Sequence, residues 1–219
     1  VSEQLEKHLA NDVLVITIAC RKEHNKADSP GNVKDLADEI KRISGSSAKY
    51  SIYTSGSTGR PKEITQTIRN TLYFAQRYKE LTGINSGSII TQIGAIAHDA
   101  TVVDIYTAIL SGCTILTYDI KRDGIETLIN LVNEERINVL HCTPTVWREI
   151  SYVATKVGKS VAPVQTLVLG GEGVTRSDIR TAKRLCRKDC KVINLYGSSE
   201  QSISFANIIT GETLDEMTA

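Results

Sequence analysis

No stretch of this sequence approaches the ~20 consecutive apolar residues that a membrane-spanning helix requires, so a helical membrane protein is not expected. A surplus of charge is missing too: 26 Lys and Arg stand against 25 Asp and Glu, a net charge of +1. That balance gives no reason to expect nucleic acid or an anionic membrane surface as partner. No charged n-region, apolar h-region and cleavage site stand at the start, and internal repeats, low-complexity tracts and linkers are lacking. The five cysteines, Cys20, Cys113, Cys142, Cys186 and Cys190, are odd in number and fall mostly in apolar segments. This argues against a disulfide framework and for reduced core thiols in a cytoplasmic protein. Cys186 and Cys190 are one helical turn apart with no histidine nearby, so no metal site is expected there. What remains is ordinary: 219 residues, 41% hydrophobic and 23% charged, enough chain to bury a sizeable core.

Strand and helix patterns alternate along the chain. Residues 1–10 read as a short helix, and 12–20 form an apolar, β-branched run typical of a strand buried on both faces. After a charged loop over 21–32, residues 33–43 have a helical period, with Leu36, Ile40 and Ile43 on one face. A short strand is expected over 50–54 and a helix over 65–81, with Leu72, Tyr73 and Gln76 at helical spacing. Strands are then expected over 88–93, 114–118, 138–141, 165–169 and 191–195. Helices are expected over 99–111, 124–135, 144–157 and 175–186. This order predicts an α/β fold, a layered, largely parallel sheet with flanking helices. In such sheets ligands bind at the carboxyl ends of strands. A polar loop after residue 54, Gly170-Gly171-Glu172 and Tyr196-Gly197 are expected to meet there in one cleft.

The densest chemistry lies in Tyr53-Thr54-Ser55-Gly56-Ser57-Thr58-Gly59-Arg60-Pro61-Lys62. Glycines let a backbone turn and approach a ligand closely, and successive loop N–H groups form a concavity that suits anions. Ser55, Ser57 and Thr58 can each donate a hydrogen bond to a phosphate oxygen, and Lys62 brings a mobile positive charge. The stretch reads either as a polar surface loop or as a polyphosphate site, for which a nucleotide is the natural ligand. A Walker loop is excluded. It needs four residues between its first glycine and its Gly-Lys pair, whereas two separate Gly56 from Gly59 and Lys62 follows a proline.

Tyr53 to Lys62 closely resembles the YTSGSTGxPK signature of the adenylate-forming (AMP-binding) enzymes. That superfamily includes nonribosomal peptide synthetase adenylation domains, acyl- and aryl-CoA ligases and luciferases. His98-Asp99-Ala100-Thr101-Val102-Val103-Asp104-Ile105, running on to Gly112, resembles the FDxS segment and following helix of its amino-acid-activating domains. Asn194-Leu195-Tyr196-Gly197-Ser198-Ser199-Glu200 resembles its NxYGxTE segment, and Gly170-Gly171-Glu172 its GGE segment. The resemblance covers roughly residues 45–210 and lies closest to the peptide synthetase adenylation domains.

The resemblance implies ATP-dependent activation of a carboxylic acid, foremost an amino acid, as acyl-AMP with release of pyrophosphate. Thr54, Ser55, Gly56, Ser57, Thr58, Gly59 and Lys62 would hold the phosphates. Gly170, Gly171, Glu172, Asn194, Tyr196, Gly197 and Ser199 would border the nucleotide, with Glu200 holding Mg²⁺, the hard cation that carboxylates suit. Lys62, Ser199 and Glu200 would be the catalytic group. Asp99 would bind the substrate ammonium, although as a bare residue it reads equally as a first-turn helix acid. The acyl pocket would be Asp99, Ala100, Val103, His141, Val168, Gly170, Leu195, Ile203 and Ser204. With one acid and one histidine among small apolar residues, it suits a modest substrate carrying a polar group. His141 also reads as a satisfied core histidine. The acceptor would be a thiol, of coenzyme A or of a carrier protein's phosphopantetheine.

Four residues depart from the family pattern. His98 replaces the usual phenylalanine, which keeps acyl-CoA, aryl-CoA and fatty-acyl-AMP ligases in view. Glu63 stands where glycine is common, Ile68 where histidine is common, and Ser199 for threonine. The resemblance further implies that residues 1–219 are part of a large N-terminal domain. A small C-terminal domain that supplies a lysine is expected in cis or trans. A trimmed, non-catalytic nucleotide-binding or interaction module is the third alternative.

Overall fold

The computed structural model describes residues 15–17, 44–55, 61–94 and 98–210. The helices expected over 1–10 and 33–43, the loop over 21–32 and Cys20 lie outside them.

Among the described residues, nine strands make two sheets: β1 (Val15–Thr17), β2 (Ala48–Ser55), β3 (Pro61–Thr67), β4 (Ile89–Gln92), β5 (Thr114–Thr117), β6 (Val139–Cys142), β7 (Thr166–Gly170), β8 (Lys191–Tyr196) and β9 (Phe205–Ile209). The main sheet has the order β1-β5-β4-β6-β7-β8-β9. Strands β4 to β8 run parallel, while β1 and β9 are antiparallel edges. The architecture is α/β, a mixed, largely parallel sheet with flanking helices, as the alternation predicts. The helices are α1 (Ile68–Thr82), α2 (Asp99–Ser111), α3 (Ile120–Asp123), α4 (Ile125–Glu134), α5 (Pro144–Lys156) and α6 (Arg176–Leu185).

Side chains alternate between the faces of a strand, and the strand sequences use this to divide the core. Leu140, Cys142, Leu167, Leu169 and Val192 point to one face, where they pack with Leu128, Ile129 and Val132 of α4, Trp147 and Ile150 of α5, and Ile179 and Ala182 of α6. Val139, Val168 and Ile193 point to the other, against Tyr78 of α1 and Val103 and Ala108 of α2. Connections after β4 and after β6 thus carry their helices to opposite faces, as right-handed crossovers require when strand order reverses. The reversal falls between β4 and β6. Four cysteines, Cys113, Cys142, Cys186 and Cys190, are free and buried. Burial pushes the Cys113 thiol up to about 11, so it stays protonated at neutral pH.

The structure departs from expectation in three places. The 50–54 strand does not enter the parallel sheet. It is β2, and it pairs antiparallel with the unforeseen β3 in a separate two-stranded sheet. The helix expected from residue 65 begins at Ile68, capped by the Thr67 hydroxyl, which accepts from the Asn70 N–H. Its buried face is Thr71, Ala75, Tyr78 and Thr82, while Leu72 and Tyr73 are exposed. Of the 12–20 run, β1 pairs antiparallel with β5 and ends the main sheet among the described residues. Strand β9 was not foreseen because, of its five residues, only Ile209 is fully buried. Its pairing with β8 makes it a strand.

Helix α6 illustrates how strongly some ends are fixed. The Thr175 hydroxyl accepts from the Asp178 N–H, and the Asp178 carboxylate accepts from the Thr175 N–H, a reciprocal capping box. Arg148 of α5 clamps the same carboxylate through Nε and Nη2, both at 2.8 Å. Thr175→Ala should lower unfolding stability by about 1 kcal/mol, measured by urea denaturation. A change of a few tenths only would mean that Arg148 alone holds Asp178.

Candidate active site

A cavity of about 400 Å³ opens at the carboxyl ends of β4, β6, β7 and β8, across the point where strand order reverses. This is where open α/β sheets bind ligands, because the diverging loops leave a crevice there. Ile93 and Gly94 follow β4, His141 and Cys142 end β6, Gly170 and Gly171 end β7, and Leu195 and Gly197 end β8. The first turn of α2 supplies the remaining wall. Two glycines are dictated by geometry: Gly171 has φ 80°, a left-handed conformation, and at Gly197 a methyl group would run into the Ser202 carbonyl oxygen. The strands therefore end in turns close enough to leave the cavity open.

Of the residues expected in the acyl pocket, Asp99, Ala100, Val103, His141, Gly170, Leu195 and Ile203 line this cavity. Val168 does not, being wholly buried in the core beside Tyr78. Ser204 does not line it either, and its hydroxyl donates to Gln201 Oε1 at 2.8 Å. Gly171, Glu172 and Gly197, expected at the nucleotide, also line it. Glu172 accepts from the Thr145 hydroxyl at 2.5 Å and the Thr145 N–H at 3.0 Å, and these bonds hold its carboxyl below the ordinary range. The lining is more titratable than the sequence suggested, since His98 and Asp104 join Asp99, His141 and Glu172.

A second cluster joins the hairpin to the turn after β8. Lys62 Nζ lies 3.0 Å from Glu200 Oε1, both side chains substantially exposed. That bond to Lys62 lowers the Glu200 carboxyl, helped by a backbone N–H and Ser198. Beneath it the buried Gln66 donates from Nε2 to the carbonyls of Ser199, at 2.9 Å, and Glu200, at 3.1 Å. Asn70 in turn donates to Gln66 Oε1. Strand alternation puts Lys62, Ile64 and Gln66 on one face of β3 and Glu63 on the other. Glu63 is exposed on the face opposite Lys62. Tyr196 is 67% exposed, and its ring pairs with that of Phe205 at 6.3 Å. Thr54 and Asn194 are half-buried near their strand ends. Gly56, Ser57, Thr58, Gly59 and the Ser55 side chain lie outside the described residues. Among those described, no group of three or more His, Cys, Asp or Glu could hold a metal ion.

A buried pair at the cavity wall sets Asp104 against His141. Both are buried, and His141 Nδ1 lies 2.8 Å and 2.9 Å from the two carboxylate oxygens. Burial alone would lower the imidazole pKa. The charge and hydrogen bond of Asp104, with Asp99 adding to them, outweigh it and hold the ring above its usual 6.5. The sequence singled out neither Asp104 nor Gln66. Each looks like one more polar residue on an element that the fold happens to bury, although the helical spacing of Asp99, Val103 and Asp104 was a usable signal.

Comparison with known proteins bears on the family and the fold. A protein-family model described as "AMP-binding enzyme" matches residues 2–218. The chain belongs to the AMP-binding enzyme family. A dimodular nonribosomal peptide synthase of Bacillus subtilis is 28% identical over 206 residues, 93% of this chain and 8% of that protein. D-lysergyl-peptide-synthetase subunit 2 of Epichloe festucae var. lolii is 33% identical over 174 residues, 78% of this chain and 12% of that protein. This AMP-binding chain thus spans about a tenth of the length of these relatives. The N-terminal subdomain of Klebsiella oxytoca NpsA, solved with 3-hydroxybenzoyl-AMSN, shares the fold with a TM-score of 0.65 at 20% identity, covering 76% of this chain and 41% of that one. No described helix of the AMP-binding chain is long and apolar enough to cross a membrane.

Proposed function

We propose that these residues form the acid-binding and nucleotide-binding face of an adenylating ligase, which activates an amino acid as acyl-AMP with release of pyrophosphate. The observation that carries this reading is the single cavity at the strand reversal, walled by Asp99 and by the Gly170–Glu172 and Leu195–Gly197 turns, beside the Lys62–Glu200 pair.

The substrate carboxylate would attack the α-phosphorus of ATP, and pyrophosphate would leave. In such a transfer the protein positions the reactants and neutralises developing charge. Lys62, with the hydroxyls of Ser55, Ser57 and Thr58, would hold the leaving pyrophosphate, and Ser199 would donate to the α-phosphate. Mg²⁺, when bound to Glu200, supplies further charge neutralisation at the phosphates. One carboxylate suffices for it, because Mg²⁺ takes its other ligands from phosphate and water. Tyr196, with its ring exposed, would stack on the adenine. Asp99 would take the substrate ammonium. The adenylate would then pass to a phosphopantetheine or coenzyme A thiol, with a carrier protein and a C-terminal lysine domain as partners. His98, which lines the cavity beside Asp99, favours a second reading, a carboxylic acid without an amino group.

Calorimetric titration with Mg·ATP tests the nucleotide half. Lys62→Ala and Glu200→Ala should each weaken binding about tenfold or more, the effect of losing a charge-assisted contact of ~1.5–3 kcal/mol. Saturating millimolar Mg·ATP without heat of binding, in a folded sample of the longest natural form of the chain, would sink the reading.

A further inference from the structure

Asp104 and His141 are both buried, yet the cavity reaches them. A buried carboxylate is costly unless paired, and Asp104 has His141 as its ion-pair partner. A carboxylate in its charged form only accepts hydrogen bonds, so opposite such a partner Nδ1 is the nitrogen that holds the proton. Nε2 forms no hydrogen bond with the described residues, and it belongs to a ring that lines the cavity. The groups facing the ring are acidic or neutral. Helix α2 contributes Asp104 and Asp99, and α1 contributes Tyr78 with its ring centroid 5.6 Å away. Thr91 of β4 and Val168 of β7 flank it without titrating. Burial first, then Asp104, pushes the Tyr78 phenol well above its usual range, so Tyr78 stays neutral. No lysine or arginine lines the cavity among the described residues.

We propose that Asp104 is a positioning residue that turns His141 into a cavity-facing Nε2–H donor, and that this donor selects carboxylic acids whose side chain carries an acceptor oxygen, as a hydroxyl, amide carbonyl or carboxylate. The proposal rests on the adenylation reading of the same cavity and names its substrate class. A site built to hydrogen-bond an oxygen disfavours the analogue that lacks it, because its own buried polar group is then left unpaired. The selectivity is pH-dependent with a definite sign. The donor exists while the imidazole is protonated, so preference for the oxygenated acid holds at low pH and fades as pH rises through the raised His141 pKa, above 6.5.

Two measurements test this. The first is ¹⁵N imidazole NMR of this chain, which needs no turnover. Nδ1 and Nε2 should both carry protons at pH 6.5, and Asp104→Asn should move the titration to lower pH. An Nδ1 found unprotonated in the parent chain overturns the proposal. The second uses the longest natural form with pairs of acids matched in size, one bearing the side-chain oxygen and one a methyl or methylene in its place. The parent protein should favour the oxygenated member tenfold or more in KM, and only that member should shift the Nε2 resonance. His141→Phe should bring the ratio near one, and Asp104→Asn should confine the preference to acidic pH. Equal use of both members, or a preference untouched in both variants, overturns the proposal. So does intact Mg·ATP binding with no acid moving Nε2. Loss of Mg·ATP binding in the parent protein is a separate failure, which strikes the adenylation reading itself.

Discussion

Asp99→Ala is expected to cut adenylation of an amino acid by about 10²- to 10³-fold, the rate equivalent of the ~3–4 kcal/mol at stake when a desolvated ammonium loses its charge-assisted partner. Asp99 is half-buried, lines the cavity and opens α2, where the helix dipole favours a carboxylate. Removing a first-turn acid that serves only the helix costs less than about 1 kcal/mol of stability and leaves selectivity alone. The two roles therefore separate in substrate-dependent pyrophosphate exchange with paired acids, one with and one without the α-amino group. Should the variant lose activity only toward the amino acid, Asp99 is the ammonium site. If both acids are handled as before, Asp99 is a helix acid and the non-amino reading gains.

Trp147→Ala should cost about 3–5 kcal/mol of stability, the range for removing a large aromatic from a core. Trp147 is fully buried among α4, α5 and α6, and its Nε1 donates to the Asp178 carbonyl at 3.0 Å. The substitution leaves a cavity and removes the indole donor that ties α5 to the Asp178 carbonyl of α6. Against a typical total of 5–15 kcal/mol, the loss would bring the domain close to unfolding at 37 °C. Chemical denaturation measures it directly, with Trp147→Phe as the milder comparison that keeps most of the volume. A cost below 1 kcal/mol would mean that the layer of helices beneath the sheet relaxes around the gap.

Local patterns placed most elements well. Helix α2 starts and ends where its apolar period does, at Asp99 and Ser111, and the parallel strands fall within one residue or two of expectation. Short apolar runs between amphipathic helices can form little else. The hairpin was not legible in the same way. Strand β3 buries only Ile64 and Gln66 of its seven residues, too few for a period to declare itself, and its partner β2 is fixed by pairing across a loop. Leu72 and Tyr73 gave α1 an apparent apolar face, but the face that packs is the one carrying Tyr78, because that side meets α2 and the sheet.

The same division holds for the candidate site. The order and chemistry of Tyr53–Lys62, His98–Ile105 and Asn194–Glu200 are properties of the sequence, as is membership of the AMP-binding family, because motif residues are recognised one by one along the chain. Which of them share a wall is a long-range matter. Gln66 reaches carbonyls 133 and 134 residues further along, and Asp104 meets a histidine 37 residues away. Val168 and His141 were expected side by side in one pocket, and they are opposite each other on adjacent strands. Yet Val168 is sealed in the core while His141 borders the cavity. Only the packing of helices on the sheet decides which strand residue is covered and which is left at the opening. The chemistry on offer is thus written along the chain, whereas long-range packing sets the depth and pairing of each group, because burial depends on neighbours far away in sequence.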